Sequence, residues 1–274
     1  MKTKSALSSL KISVLGCGNM GRALVRGLVE KSVYPQNISV FDVDAKKLNE
    51  IKKETSVKIA KSNRLSATLA DVVVLAVKPQ ILQEVSKEIE TALGKEALVI
   101  SIAAGVPIAR IEQFFKKQVC VIRAMPNMPA LAGCGMSAFS AGRHAQGKHR
   151  KIAEAILSAV GEVAQVPEKW LDLVTALSGS GPAYYFLLAE KMIEAGYELG
   201  MKVDLAKKLV YQTALGSGRI LAQTDEDPEV LIGRVASKGG TTEAALKVFQ
   251  KKGFGKIVQE AVKAAYKRSI ELRK

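Results

Sequence analysis

Short apolar runs alternate with amphipathic stretches through the first 166 residues. Ile12-Ser13-Val14-Leu15 is the first strand pattern, and Met20, Leu24, Val25, Leu28 and Val29 then share one helical face. Asn37 to Phe41 predicts a second strand ending at Asp42. A helix follows from about Asp44, a residue suited to cap it. Val57 to Ala60 predicts a short third strand. Val72 to Val77 is apolar without a break, as a parallel strand buried on both faces requires. It runs into Lys78-Pro79-Gln80, where Pro79 can open the next helix. Leu98 to Ile102 and Val119 to Arg123 repeat the strand signal. They lead into Ala103-Ala104-Gly105 and Ala124-Met125-Pro126-Asn127-Met128-Pro129. Phe139 to Arg150 reads as a polar, basic loop, Ile152 to Val160 as a helix and Glu162 to Val166 as a last short strand. Strands and helices in this alternation predict a doubly wound α/β domain over residues 1–166.

After Pro167 the strand signal ends. Helical stretches follow at about 181–200, 205–223, 228–236 and 242–251, with a fifth from about 255 to the C-terminus. Gly200, Asp225 to Pro228, Lys238-Gly239-Gly240 and Gly253 separate them. The expectation is an all-α domain over residues 167–274. Its apolar faces exceed what one small helical domain buries alone, which favours burial between subunits.

Composition narrows the class. The chain has 274 residues, 48% of them hydrophobic and 24% charged, as in ordinary globular proteins. No apolar run approaches the roughly 20 residues that span a bilayer. Met1 to Ser9 lacks the apolar segment and cleavage site of a signal peptide, so a cytoplasmic protein is expected. Cys17, Cys120 and Cys134 have neither metal-ligand nor disulfide-framework spacing, and no metal is expected. The net charge of +15 is spread over lysine pairs such as Lys46-Lys47, Lys116-Lys117 and Lys251-Lys252. With only 5% aromatic residues, a solvated basic surface is favoured over a nucleic-acid groove.

The candidate chemistry lies at the breaks in the pattern. Gly16-Cys17-Gly18-Asn19-Met20-Gly21 is G-x-G-x-x-G between a strand and a helix, the setting in which glycines let a pyrophosphate approach a helix N-terminus. Asp42 ends the second strand, where a carboxylate accepts from adenosine ribose hydroxyls and repels a 2′-phosphate; a turn or capping aspartate is the plainer reading. Arg22 and Lys46 lie near enough to complicate the choice of cofactor. Leu177-Ser178-Gly179-Ser180-Gly181-Pro182-Ala183-Tyr184 reads as an open loop presenting backbone N–H groups to an anion, or as a linker between domains. Ser237-Lys238-Gly239-Gly240-Thr241-Thr242-Glu243 is similar in kind, with a capped helix–helix turn as its plainer reading. His144 and His149 have no strand end or acidic partner beside them in sequence to recruit them for proton transfer.

Taken in order, Gly16 to Met20, Ala76-Val77-Lys78-Pro79-Gln80, Arg123 to Asn127, Leu177 to Tyr184 and Gly239-Gly240-Thr241-Thr242 resemble the pyrroline-5-carboxylate reductase family nearly end to end. The resemblance implies NAD(P)H-dependent reduction of 1-pyrroline-5-carboxylate to L-proline, the final step of proline biosynthesis. It also implies an N-terminal Rossmann domain and a C-terminal helical dimerisation domain, with homodimers that can assemble into rings. Gly16, Cys17, Gly18, Asn19 and Met20 would then hold the pyrophosphate, and Asn63, Ala76, Val77, Lys78, Pro79, Ala103 and Ala104 would line the rest of the cofactor site. Glu168, Ser178, Gly179, Ser180, Gly181, Gly239, Gly240 and Thr241 would surround the substrate. Ser237 and Thr242 would be catalytic, with Thr242 hydrogen-bonding the ring nitrogen.

The implied reaction suits this inventory. Backbone N–H groups in glycine loops bind a carboxylate. A threonine hydroxyl can orient a ring nitrogen or relay its proton. An iminium substrate needs no strong side-chain acid, which leaves orientation and electrostatics as the main sources of rate. Three positions depart from the family pattern: Lys238 replaces a proline, Met128 replaces a threonine, and Asp42-Val43 stands where NADPH users carry Asn-Arg or Ser. Asp42 therefore favours NADH over NADPH. A reductase of the same fold acting on another cyclic imino acid or a hydroxy acid is the alternative, with Lys191 as the lysine to test.

Overall fold

The structure, a computed structural model, describes residues 7–31 and 33–273. The polar segment at Met1 to Ser9 falls outside the described residues as far as position 6. Eight strands form one sheet: β1 (Ile12–Leu15), β2 (Ile38–Phe41), β3 (Lys58–Ile59), β4 (Val72–Leu75), β5 (Leu98–Ser101), β6 (Cys120–Met125), β7 (Gly135–Ala141) and β8 (Gly161–Gln165). Their order is β3-β2-β1-β4-β5-β6-β7-β8. Neighbours run parallel except β6 and β7. Six helices are interleaved: α1 (Asn19–Glu30), α2 (Ala45–Thr55), α3 (Asn63–Ala67), α4 (Leu82–Ile89), α5 (Ile108–Glu112) and α6 (Gly147–Leu157).

The central strands are apolar because helices cover both faces. Val14, Val40, Val74 and Ile100 pack with Leu24 and Leu28 of α1 and Ile156 of α6. On the other face Leu15, Val73, Leu75 and Val99 pack with Leu82, Val85 and Ile89 of α4 and Ile111 of α5. Register then fixes where the site lies. Leu15 is abreast of Phe41 and Leu75, Leu75 of Ser101, and Ser101 of Arg123. The residues that follow, Gly16, Asp42, Ala76, Ile102 and Ala124, therefore line one edge of the sheet, where open α/β folds bind ligands.

One sequence expectation is corrected. Phe139 does not open a polar loop. It sits in β7, fully buried, paired antiparallel with β6 and parallel with β8. The strand is hard to read because Gly135, Ser137 and Ser140 carry turn-like chemistry into buried positions. The polar, basic residues that follow begin α6, which starts five residues before Ile152.

The chain divides into two compact units. One holds the chain through Ser180 together with the residues from Ala265 onward, and the other is Gly181–Ala264. Helices follow Pro167, and residues 168–180 group with the sheet. The reason is burial: Leu171 and Asp172 of α7 (Leu171–Val174) and the following Ala176 are closed from solvent within that unit. The second unit contains α8 (Gly181–Glu198), α9 (Val203–Gln223), α10 (Pro228–Val235), α11 (Thr241–Lys251) and the first part of α12 (Phe254–Glu271). α8 and α9 form a helical hairpin that turns at Gly200, whose φ of +94° suits only glycine well.

Candidate active site

The turn after β1 is built by steric necessity. Gly16 has φ +102°, and a Cβ there would lie 2.5 Å from the Ala76 carbonyl oxygen. A Cβ on Gly21 would overlap the Gly16 carbonyl. Gly18, the N-cap of α1, has open space where a side chain would be and no side-chain cap bond. The N-terminus of α1 is thus free of a side-chain cap and open to an approaching group, at the sheet edge where ligands bind. This is the fit a dinucleotide pyrophosphate requires. Asn19 is exposed at the first position of α1, and Met20 is half-buried behind it.

Cys17 and Asp42 are joined. The Cys17 N–H donates to Asp42 Oδ2 at 2.6 Å, and the Asp44 N–H donates to Asp42 Oδ1 at 2.8 Å. Burial, reinforced by the Asp42 charge, pushes the Cys17 thiol up to about 11. The sulfur therefore stays protonated near neutral pH and serves as packing rather than as a nucleophile.

The neighbouring strand ends complete this edge. Ala76 and Val77 are half-buried beyond β4, while Lys78 and Pro79 are exposed. Ala103 is buried and Ala104 exposed in the turn after β5. Asn63 begins α3, and its Nδ2 donates to Glu88 Oε2 of α4 at 2.7 Å.

A charge cluster that sequence reading does not join together centres on Arg123, within β6. The Arg123 guanidinium is buried and donates to Glu168 Oε1 at 3.1 Å, with Asp172 Oδ1 at 3.8 Å. The Ile108 N–H also donates to Glu168 Oε1, at 2.7 Å. Asp172, fully buried, accepts from Ser269 Oγ at 2.8 Å and from Arg273. Burial pulls the Arg123 guanidinium below its usual pKa, and Glu168 opposes this. Glu168, expected beside the substrate, therefore has one carboxylate oxygen committed to holding Arg123 and the start of α5. The available signal in the sequence is a lone arginine inside an otherwise apolar strand.

The Ser178 segment differs from the expected open loop. Thr175–Gly179 is a π-helical turn between α7 and α8. The Ser180 N–H donates to the Thr175 carbonyl at 2.8 Å, so it is not free for an anion. Asn127 Nδ2 donates to the Ser178 carbonyl at 3.1 Å and Ser178 Oγ at 3.2 Å, while Asn127 Oδ1 accepts from the Met136 N–H at 2.8 Å. A Cβ on Gly179 would meet Met125 Cε at 2.6 Å. Ser178 and Gly179 are thereby fixed against the carboxyl end of β6, and Gly181 follows as the first residue of α8. Such π turns interrupt the i→i−4 ladder and recur at functional sites.

The second loop lies in the helical unit. Gly239 has φ +74°, and its N–H donates to Glu243 Oε2 at 2.6 Å. That N–H holds the Glu243 carboxyl below the usual range, with Lys247 adding to the effect. The Gly240 N–H donates to the Ser237 carbonyl at 3.0 Å, and a Cβ on Gly240 would lie 2.6 Å from Ser237 Oγ. Ser237 and Lys238 are exposed, α11 begins at Thr241, and Thr242 is half-buried in its first turn. Lys191 is exposed on α8 and paired with Glu194 at 2.9 Å.

The two histidines stand at the amino end of β6, away from the strand ends described above. A His144 ring nitrogen meets Gln118 Nε2 at 2.6 Å, and the His144 carbonyl accepts from Cys120 Sγ. His149 is buried, and its Nδ1 accepts the Gln146 N–H at 3.0 Å. Among the described residues, no group of three or more His, Cys, Asp or Glu side chains is placed to hold a metal ion. No helix among them is long and apolar enough to cross a membrane.

Comparison with known proteins bears on the family and the fold. Residues 168–272 match the family model described as pyrroline-5-carboxylate reductase dimerisation, and residues 11–105 match that of NADP oxidoreductase coenzyme F420-dependent. A pyrroline-5-carboxylate reductase of Pseudomonas aeruginosa is 40% identical over 97% of this chain and 98% of its own length. A solved pyrroline-5-carboxylate reductase from Coxiella burnetii superposes with a TM-score of 0.92 at 38% identity, covering 97% of this chain and 99% of that one. The pyrroline carboxylate reductase of Plasmodium falciparum, solved with NADP bound, superposes with a TM-score of 0.87 at 30% identity over 98% and 100%. With likeness of this extent in sequence and in fold, the chain belongs to the pyrroline-5-carboxylate reductase family.

Proposed function

We propose that the chain reduces 1-pyrroline-5-carboxylate to L-proline with NADH or NADPH, as a cytoplasmic homodimer joined through its helical unit. The near full-length likeness to proteins named for this activity carries the reading. The open glycine turn at the sheet edge supports the cofactor half of it. Gly16 to Met20 hold the pyrophosphate, and Asn63, Ala76 to Pro79, Ala103 and Ala104 line the remainder. When bound, the reduced dinucleotide supplies the hydride. Thr242 presents its hydroxyl to the ring nitrogen, with Ser237 beside Gly240 as its companion. Ser178, Gly179, Ser180, Gly181, Gly239, Gly240 and Thr241 bind around the substrate, and Glu168 retains Oε2 for it.

Asp42 tips the cofactor choice toward NADH. It stands at the end of β2, where a carboxylate accepts from a 2′-hydroxyl and repels a 2′-phosphate. Steady-state oxidation of NADH and NADPH against a panel of five- and six-membered cyclic imines tests both parts. The expected result is turnover of pyrroline-5-carboxylate to proline, with the higher kcat/KM for NADH. Faster turnover of a six-membered imine would reassign the substrate. An NADPH value more than about tenfold above that for NADH would remove the cofactor preference.

A further inference from the structure

A cation next to the glycine turn is the usual means of accepting a 2′-phosphate. Here that cation is present and engaged. Arg22 stands one residue beyond Gly21, in the first turn of α1. Its Nη1 donates to Glu50 Oε2 at 2.6 Å, and its Nη2 donates to Glu54 Oε1 at 2.8 Å. Both glutamates belong to α2, the helix that follows Asp42. Glu54 Oε2 also accepts from Arg26 at 2.7 Å, so one carboxylate bridges two arginines on successive turns of α1. Arg22 is half-buried, and bonds in which both partners are ionised are the stronger kind. Asp42 holds the Cys17 N–H, and α2, which carries both glutamates, starts at Ala45 just beyond it, so α1 and α2 bring their charges together beside the glycine turn. Asp44 caps α2 through the Lys46 and Lys47 N–H groups and pairs with Lys47 Nζ at 3.5 Å.

We infer that Glu50 and Glu54 set the cofactor choice of this chain by holding Arg22 between them, so that a 2′-phosphate finds the Asp42 carboxylate and no unpaired guanidinium. The inference rests on the cofactor reading above and adds two residues to it. A 2′-hydroxyl needs only an acceptor, which Asp42 provides. A 2′-phosphate dianion needs a donor with positive charge, and the Arg22 guanidinium has each terminal nitrogen on a carboxylate. Releasing Arg22 should therefore help the phosphorylated cofactor selectively. The glutamine isosteres keep the shape of α2 and the capacity to accept, and they remove the negative charge.

The test is fluorescence titration of NADH and NADPH into the wild-type protein, the Glu50→Gln/Glu54→Gln variant and the same variant carrying Arg22→Ala. In the double variant the Kd for NADPH should fall about tenfold, the effect of one freed charge-assisted hydrogen bond, while that for NADH moves less than about threefold. Adding Arg22→Ala should abolish the gain. An unchanged NADPH-to-NADH ratio in the double variant overturns the inference, as does a gain that survives Arg22→Ala. A wild-type protein that prefers NADPH and loses it on Arg22→Ala alone also overturns it, because Arg22 is then already available. Wild-type protein that binds neither dinucleotide overturns the cofactor reading itself, and this inference with it. Thermal midpoints of the variants separate misfolding from selectivity, since misfolding weakens both cofactors alike.

Discussion

Asp42 is bonded as a turn aspartate, the plainer of its two sequence readings, and it also reaches the neighbouring turn. Its carboxylate takes the N–H groups of Cys17 and Asp44, so the end of β2 braces the glycine turn of β1. A bond between positions 17 and 42 follows from the β1–β2 register and cannot be read from either residue alone. The glycines are different: Gly16 and Gly21 answer to a steric need and Gly18 leaves open space at the helix start, as the G-x-G-x-x-G spacing states in the sequence. Thr242 lies between these cases. Its place in the first turn of α11 follows from the Gly239-Gly240 break, whereas its role comes from the family pattern. If its hydroxyl serves the ring nitrogen, Thr242→Val should lower kcat about a hundredfold and leave the Kd for NADH within about threefold. Single-turnover rates and cofactor titration check this split. Unchanged turnover would remove Thr242 from the mechanism.

Among the elements, β4 and β5 are legible because burial on both faces leaves apolar runs there. β7 and the π turn are not. β7 hides because its buried positions include Ser137 and Ser140, whose hydroxyls read as turn chemistry. The π turn hides because Ser178-Gly179-Ser180 has loop composition, while the contacts that pack and bond it, to Met125 at the end of β6 and to Asn127, come from far along the chain. α6 shows how a helix start can also carry a titration. His149 Nδ1 accepts the Gln146 N–H at 3.0 Å, the reciprocal half of a capping box. Burial holds the imidazole below its usual pKa of 6.5, and neighbouring Lys148 adds to this. The unfolded chain then binds more protons than the folded one as pH falls below 6.5. Stability is complete above that value and declines toward the lower folded pKa. His149→Gln keeps an acceptor for Gln146 and removes the titration. Between about pH 7.5 and about pH 5.5 its thermal midpoint should fall less than that of the wild type. Equal pH slopes in the two proteins would assign the acid sensitivity elsewhere.

For the molecule as a whole, the apolar pattern of the helical unit does not close on one chain. Tyr185, Phe186, Leu187 and Leu188 of α8 are 70%, 57%, 56% and 39% exposed. Successive helical positions are about 100° apart, so four in a row span the whole circumference. The first turns of α8, before Glu190 and Lys191, are thus apolar all round, and such a stretch is stable in water only when covered all round. α9 covers one side of α8 within its unit, yet α9 itself leaves Leu209, Tyr211, Leu215 and Ile220 exposed. The family model matched over residues 168–272 is named for dimerisation, which agrees with a second copy as the cover. The prediction is a dimer in solution whose thermal midpoint rises with protein concentration, because dissociation is part of its unfolding. Phe186→Glu removes roughly 2–3 kcal/mol of aromatic burial per chain and adds a desolvation cost, so it should shift the protein toward monomer and lower the midpoint. Light scattering coupled to size exclusion, run beside thermal melts across a hundredfold concentration series, reads both effects. A monomer whose midpoint is indifferent to concentration would mean that α8 tolerates water on every side, and the argument from its circumference would fail.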